Sequence, residues 1–337
     1  MSGELEGGGE GGGFKARAGA LTLLYIASPM ERSILRALLA EAATGVEVLE
    51  DFEPPSADDP LDLSIIADPY MVEPADPDAD PNEPIGWDTS LRASPAGEEL
   101  LFVGFVLERW LKACPEGPLT LGPEAGPALS ALLCGWSSTA MHALAARPLT
   151  IAEATEAIGT LSYDVVEDRV EEMESAGLLE AYVDEDDEER FAVTDWLRRA
   201  IAPLAAAARL EHRFPPGDTA PIAALDVEAA FLLTLPLLEL PADLAGSCSL
   251  AVDLDEGVSP SPTGVTAHSA KGRVVSCDAR LEKSVDAWAS AAAPAWLDTV
   301  IESDAKQVRY GGERRLAGAL LQTLHRTLFE VFPNKTD

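Results

Sequence analysis

The sequence predicts an α+β chain, and three observations predict it. Helix-period apolar spacing with cap residues recurs between residues 127 and 213, interrupted by two short alternating segments around an acidic tip. Two further alternating segments, Ser247–Leu254 and Arg273–Leu281, suit strands with one buried face and are followed by two helical patterns. A length of 337 residues with 47% hydrophobic content favours two or three domains over one core.

Taken in order, residues 1–13 are Gly/Glu low complexity and predict a disordered tail. The spacing of Leu24, Ile34, Leu35, Leu38 and Leu39 predicts a helix within 20–43. Eight prolines between Pro54 and Pro84, interleaved with aspartates, exclude any helix of useful length there. Ser94-Pro95 opens a second helix that reaches Ala113. Residues 127–146 form one helical pattern that stops before Pro148. Thr150-Ile-Ala-Glu153 is a capping box, and Gly159 ends the short helix it starts. Ser162 caps the next helix, which Gly177 terminates. Leu178–Val183 and Phe191–Val193 predict a hairpin around Asp184–Glu189, and Thr194 caps a long helix to Arg213 with a kink at Pro203. Helix, helix, turn, helix, hairpin, helix is the winged-helix order. From residue 220 the patterns predict an α+β domain reaching 333, with helices over Val285–Glu302 and Glu313–Phe332.

An internal repeat runs alongside this order. Ser94–Trp110 resembles Thr194–Leu210 at an offset of 100, with Arg109 opposite Arg209, and Ile34-Leu-Arg-Ala-Leu38 resembles Ala140-Met-His-Ala-Leu144. Residues 14–113 thus read as a degenerate first winged helix with an acidic Pro-rich insert over 44–90. The two copies are expected to pair as a pseudo-dimer within one chain.

Charge and cysteine usage narrow the function. The chain carries 58 acids against 24 bases, a net charge of −34. Residues 1–113 hold 22 acids and 7 bases, 114–220 hold 20 and 7, and 221–337 hold 16 and 10, so the excess is uneven and salt adaptation explains it poorly. Cys114, Cys134, Cys248 and Cys277 form no close pair, which argues against structural zinc and for core thiols. No apolar run is long enough to span a bilayer, and no signal peptide opens the chain, so a cytoplasmic location without membrane contact is expected. His142, His212, His268 and His325 are scattered, with no HExxH, nucleophile elbow or phosphate loop; neither an enzyme nor a metal or other cofactor is expected. His142, Trp136 and Trp196 read as packing residues, and Arg198, Arg199, Arg209 and Arg213 as partners for acids or for another subunit.

Gly135-Trp-Ser-Ser-Thr-Ala-Met-His-Ala-Leu-Ala, Leu161-Ser-Tyr-Asp, Arg169-Val-Glu-Glu-Met-Glu-Ser-Ala-Gly-Leu-Leu179 and Val193-Thr-Asp-Trp-Leu-Arg198 together resemble HxlR-type transcription regulators over 127–213. The resemblance implies DNA as partner, with Ser162, Tyr163, Val166 and Arg169 on the helix that enters the major groove and Arg190 on the wing. Leu244-Ala-Gly-Ser-Cys-Ser-Leu-Ala-Val, Gly272-Arg-Val-Val-Ser-Cys, and Trp296-Leu with Tyr310-Gly-Gly-Glu-Arg-Arg-Leu-Ala resemble a sterol-carrier-protein-like domain over 220–333. That implies an apolar small molecule between sheet and helices, with Phe231, Leu235, Leu238, Trp288 and Trp296 as candidate lining.

Composition works against the first implication. Residues 162–176 contain Asp164, Glu167, Asp168, Glu171, Glu172 and Glu174 against Arg169 alone, and the wing tip is acidic from Asp184 to Glu189. Phosphate contacts by lysine and arginine supply most non-specific DNA affinity, so the expected affinity is weak at physiological salt. A protein-interaction or DNA-mimicking module that keeps the fold without DNA is the alternative.

Overall fold

The computed structural model describes residues 43–44, 72–74, 76, 90–133, 138–215, 222–253 and 262–330. The tail at 1–13, the helix expected within 20–43 and most of the Pro-rich insert lie outside them, as do Trp136 and Cys134. The architecture is α+β. Short strands β1 (Ala43–Thr44), β2 (Val72–Pro74) and β3 (Ser90–Ala93) form an antiparallel sheet in the order β1-β3-β2. Helix α1 (Pro95–Lys112) follows, its first turn capped by Ser94, whose Oγ accepts the Gly97 N–H at 3.1 Å. Leu100, Val103, Leu107, Trp110 and Leu111 keep helical spacing along one buried stripe.

The expected helix over 127–146 is helical at both ends, as α2 (Gly126–Leu133) and α3 (Ser138–Ala146), with 134–137 outside the described residues. Helix α4 (Ile151–Ile158) begins at a reciprocal capping box, Glu153 N–H to Thr150 Oγ1 at 3.2 Å and Thr150 N–H to Glu153 Oε2 at 3.0 Å. Helix α5 (Tyr163–Ser175) closes through Gly177, whose φ of +73° lets the Leu178 N–H reach back to the Met173 carbonyl at 2.8 Å. Strands β4 (Leu179–Val183) and β5 (Glu189–Val193) pair antiparallel.

The helix expected to run unbroken with a kink to Arg213 is two helices, α6 (Asp195–Arg199) and α7 (Ile201–Arg213), divided at Ala200. Pro203 is the cause, acting upstream: it has no N–H for the Arg199 carbonyl, so the ladder fails one turn earlier. Helices α1 and α7 lie antiparallel, with Glu99 near the start of α1 bonded to Arg209 near the end of α7. At the other end of the pair the indoles of Trp110 and Trp196 stack 4.6 Å apart at 8°, and each Nε1–H donates to the other residue's carbonyl at 2.9 Å.

Helix α8 (Ala224–Thr234) is buried along most of its surface, because α3 covers one side and the last sheet another. That sheet has the order β10-β9-β6-β7-β8 from β6 (Gly246–Asp253), β7 (Thr263–Ala270), β8 (Arg273–Asp278), β9 (Ala287–Ala292) and β10 (Arg309–Gly312). Only β6 and β9 pair in parallel. The pattern over Val285–Glu302 predicts one helix. Its first part is instead β9, where Ala287, Ala289 and Ala291 alternate into the core, and helix α9 (Ala293–Glu302) begins after it. Alanine is a strong helix former, so burial in the sheet overrides local preference here. Close strand approach also fixes Gly264, where a Cβ would stand 2.1 Å from the Leu250 carbonyl oxygen. Helix α10 (Arg314–His325) and a π turn over Arg326–Glu330 complete the described chain.

Candidate functional site

Helix α5 and the β4–β5 hairpin follow each other in the chain and pack together. Val166, Val170 and Met173 lie on the inner side of α5, and Val166 is 1% exposed. Val166 therefore belongs to the core and corrects the expectation of a base-reading residue; its four- and seven-residue spacing to Val170 and Met173 is that of a packing stripe. Ser162 occupies the N-cap position, but its side chain makes no cap bond, and Tyr163 is exposed. Outward from these stand Asp164, Asp168, Glu171 and Glu174 on the helix and Glu185, Asp186, Asp187 and Glu189 on the hairpin. Four apolar side chains of the same two elements are also exposed, Tyr163, Val165, Tyr182 and Val183.

Both expected DNA-contacting cations are turned onto neighbouring acids. Arg169 pairs with Glu172 at 3.0 Å. Arg190 is bound by Asp184, by Glu153 on α4 at 2.8 Å and by Glu188 at 3.2 Å. Asp184 also accepts the N–H groups of Asp186 at 2.9 Å and Glu188 at 3.1 Å, which sets the turn. The Arg190 hydrogen bond, followed by the backbone N–H of Glu188, holds the Asp184 carboxyl below the usual aspartate range. The Thr150 backbone N–H, with help from Arg147 and Arg190, does the same for Glu153. A carboxyl depressed in the folded state contributes stability that is complete above its unfolded pKa, about 3.9 for Asp, and is lost as pH falls through the lower folded value. The hairpin tip is therefore expected to stay tied to α4 at neutral pH and to loosen only below about pH 4. Amide exchange at Asp186 and Glu188 followed on acidification checks this; loosening between pH 5 and 7 contradicts it.

Among the described residues an apolar space opens between helices. A cavity of about 70 Å³ opens among α7, α8, α9 and α10, lined by Leu204, Ala208, Ala230, Phe231, Trp296 and Leu328 together with neighbouring apolar residues. Phe231 and Trp296 are thus two of the five expected lining residues present, their rings edge to face at 4.9 Å. Leu235 and Leu238 are buried in the core but do not line this space, and Trp288 is 43% exposed on β9. Trp288 falls on the alternate side from Ala287 and Ala289, and its indole lies over Gly311 of β10. A dry cavity of about 150 Å³ takes benzene, so a space under half that size holds only a few carbon atoms.

Helix α8 joins the cavity to the helices before it. Val227, Ala230, Phe231 and Thr234 line the cavity, while α3 packs on another side of the same helix. Arg198 of α6 donates to the carbonyls of Leu232 and Leu233, both at 3.2 Å, neutralising the negative end of α8. Buried Glu228 lies 3.2 Å from His142 Nε2 and accepts from Thr263 on β7, so one carboxylate touches both flanking elements. His142 Nε2 is buried within ion-pair distance of Glu228 but makes no hydrogen bond. Arg209 and Arg213 bind Glu99 and Glu302, Arg213 also binds Asp298, and Arg109 donates to the Phe329 carbonyl at 2.7 Å. Burial pushes the thiols of Cys248 and Cys277 up to about 12. Among the described residues no helix is long and apolar enough to cross a membrane. No family model matches the chain, and no curated protein matches it.

Proposed function

We propose that the chain is a winged-helix transcription regulator whose own hold on DNA is weak. The observation that carries the reading is the order α3, α4, α5, hairpin, α6 and α7, with α5 exposed beside the hairpin as a recognition helix stands beside its wing. In this reading α1 and α7 pair as the corresponding helices of two subunits do in a dimer, and residues 222–330 form a sterol-carrier-like unit. An apolar ligand of a few carbon atoms in the cavity acts through α8, which α3 shares as a packing partner.

Weak affinity follows from charge. One good bidentate base contact discriminates by about 1–3 kcal/mol, whereas non-specific affinity comes from many phosphate contacts at once. Arg169 and Arg190 are each held by acids of their own surface. The test is a salt-titrated gel shift with a duplex carrying the gene's upstream region. Glu185, Asp186, Asp187, Glu188, Glu189, Glu167 and Asp168 are changed to their amides, and Asp184 is kept because it sets the turn. The variant is expected to bind at least about tenfold more tightly, with the largest gain at low salt, where screening is least. Tight wild-type binding at physiological salt that weakens in the variant would overturn the charge argument.

The four exposed apolar side chains of α5 and the hairpin favour a second reading, a face that docks a basic protein in place of DNA. In that case the amide variant gains no DNA affinity and loses the protein partner.

A further inference from the structure

The sheet carries a polar cluster on the side away from the helices. Along β7, Val265 and Ala267 point into the core, and Thr266 and His268 point to the opposite face. His268 Nε2 lies 3.2 Å from Asp278 Oδ2 at the end of β8 and 3.3 Å from Glu282 Oε1 in the crossover to β9. One donor atom from each of the three residues lies within 4.8 Å of the others. The backbone beneath them is fixed. Thr266, fully buried, donates to the Arg280 carbonyl at 2.9 Å and accepts the Glu282 N–H at 3.1 Å. Because that hydroxyl proton is committed to Arg280, Ser249 is the donor in the 2.9 Å bond it shares with Thr266. Asp278 pairs across from Thr266, and a register shift follows His268, the kind of irregularity that re-aims a side chain.

Protons alone serve this arrangement poorly. Nε2 carries at most one hydrogen and can satisfy one carboxylate at a time. Among the described residues no lysine or arginine pairs with Asp278 or Glu282, so two carboxylates face each other around one imidazole. A divalent cation cancels both charges and accepts all three donors together. A tetrahedral ion with bonds of about 2.0–2.2 Å has ligand-to-ligand edges of about 3.4 Å, near the 3.2 and 3.3 Å from His268 Nε2 to the two carboxylates. One imidazole nitrogen with two carboxylates suits a transition-metal ion over magnesium or calcium, which favour all-oxygen shells.

We propose that His268, Asp278 and Glu282 bind one divalent transition-metal ion of the Zn²⁺ class, with a fourth position open to water. The three side chains are about one-third to two-fifths exposed, so an ion reaches them without opening the fold. The ion would tie the crossover to β7 and β8. The full chain is titrated with Zn²⁺ by calorimetry and melted with and without it, Mg²⁺ serving as the control for diffuse binding to a chain of net charge −34. Expected are one bound equivalent, a higher melting temperature with Zn²⁺ only, and at least about tenfold weaker binding in both His268→Gln and Glu282→Gln. Substituted Co²⁺ should give the visible absorption of a four-coordinate ion that Glu282→Gln removes. The partly exposed Glu282 amide preserves the fold if the histidine variant does not. Zn²⁺ affinity unchanged in Glu282→Gln, or an equal response to Mg²⁺, overturns the site.

Discussion

Replacing Trp110 with alanine is expected to lower the unfolding free energy by about 4 kcal/mol, the middle of the range for a buried aromatic. Trp110 is fully buried, so the truncation opens a void between α1 and α6 that rigid neighbours cannot fill. It also removes a stacked pair worth about 0.5–1.5 kcal/mol beyond the area it buries, and it leaves the Trp196 carbonyl without its indole donor. Trp110→Phe separates these contributions, because it keeps an aromatic ring and loses the donor; its cost should be less than half that of alanine. Urea midpoints for the two variants decide the matter, read with the denaturant slope unchanged. A loss below about 1.5 kcal/mol for alanine would mean that the α1–α7 pair is not the joint described here.

The second large effect is at Arg209. Its side chain is 8% exposed, its guanidinium binds Glu99 at 2.7 Å and Glu302 at 3.0 Å, and it covers the Phe102 ring at 5.6 Å. Arg209→Met keeps much of the volume and removes the charge, leaving Glu99 largely buried with Arg213 as its cation. Breaking a buried pair from one side costs about 3–5 kcal/mol, and the exposure of Glu302 places the expected loss near about 3 kcal/mol. Arg213→Met, at a site about one-third exposed, should cost less than about 1 kcal/mol. Arg209→Met combined with Glu99→Leu is expected to recover part of the single-variant loss, since no buried carboxylate then depends on the partly exposed Arg213 alone. A double variant as unstable as the sum of its parts would show that the pair contributes packing and little electrostatics.

Local chemistry was legible where a side chain answers to its own neighbours in sequence. Thr150 with Glu153, Gly159, Gly177 and Thr194 set the ends of α4, α5 and α6 as their types predict, and the acidic tip sits between two paired strands. The reading failed where distant contacts decide. Alanines 287, 289 and 291 carry no local mark of a strand; only pairing with β6, some forty residues earlier, makes them one. Val166 was assigned by position in a motif, and its stripe with Val170 and Met173, visible in the sequence, would have placed it inside. Arg190 reads as a free wing cation until the fold brings Glu153, 37 residues away, against it. The cluster at His268 was hidden for the same reason: its carboxylates lie ten and fourteen residues on, at spacings that no metal motif shares and only the β7–β8 pairing brings together.

The bond from Arg109 to the Phe329 carbonyl spans 220 residues. Phe102 of the same helix stacks on the Phe329 ring at 5.9 Å. Ribosomes add about 5–20 residues per second, so the first partner waits roughly 10–45 seconds for the second. Helices α4 and α5 and their hairpin can settle during synthesis, since their bonds are nearly all local. Helix α1 cannot: Arg209 of α7 lies 110 residues on and Phe329 220 residues on from their partners, so neither is translated when the helix leaves the exit tunnel. Its apolar stripe therefore stays open to a chaperone until α7 follows, and the side that Phe329 covers waits for the last turn of the described chain.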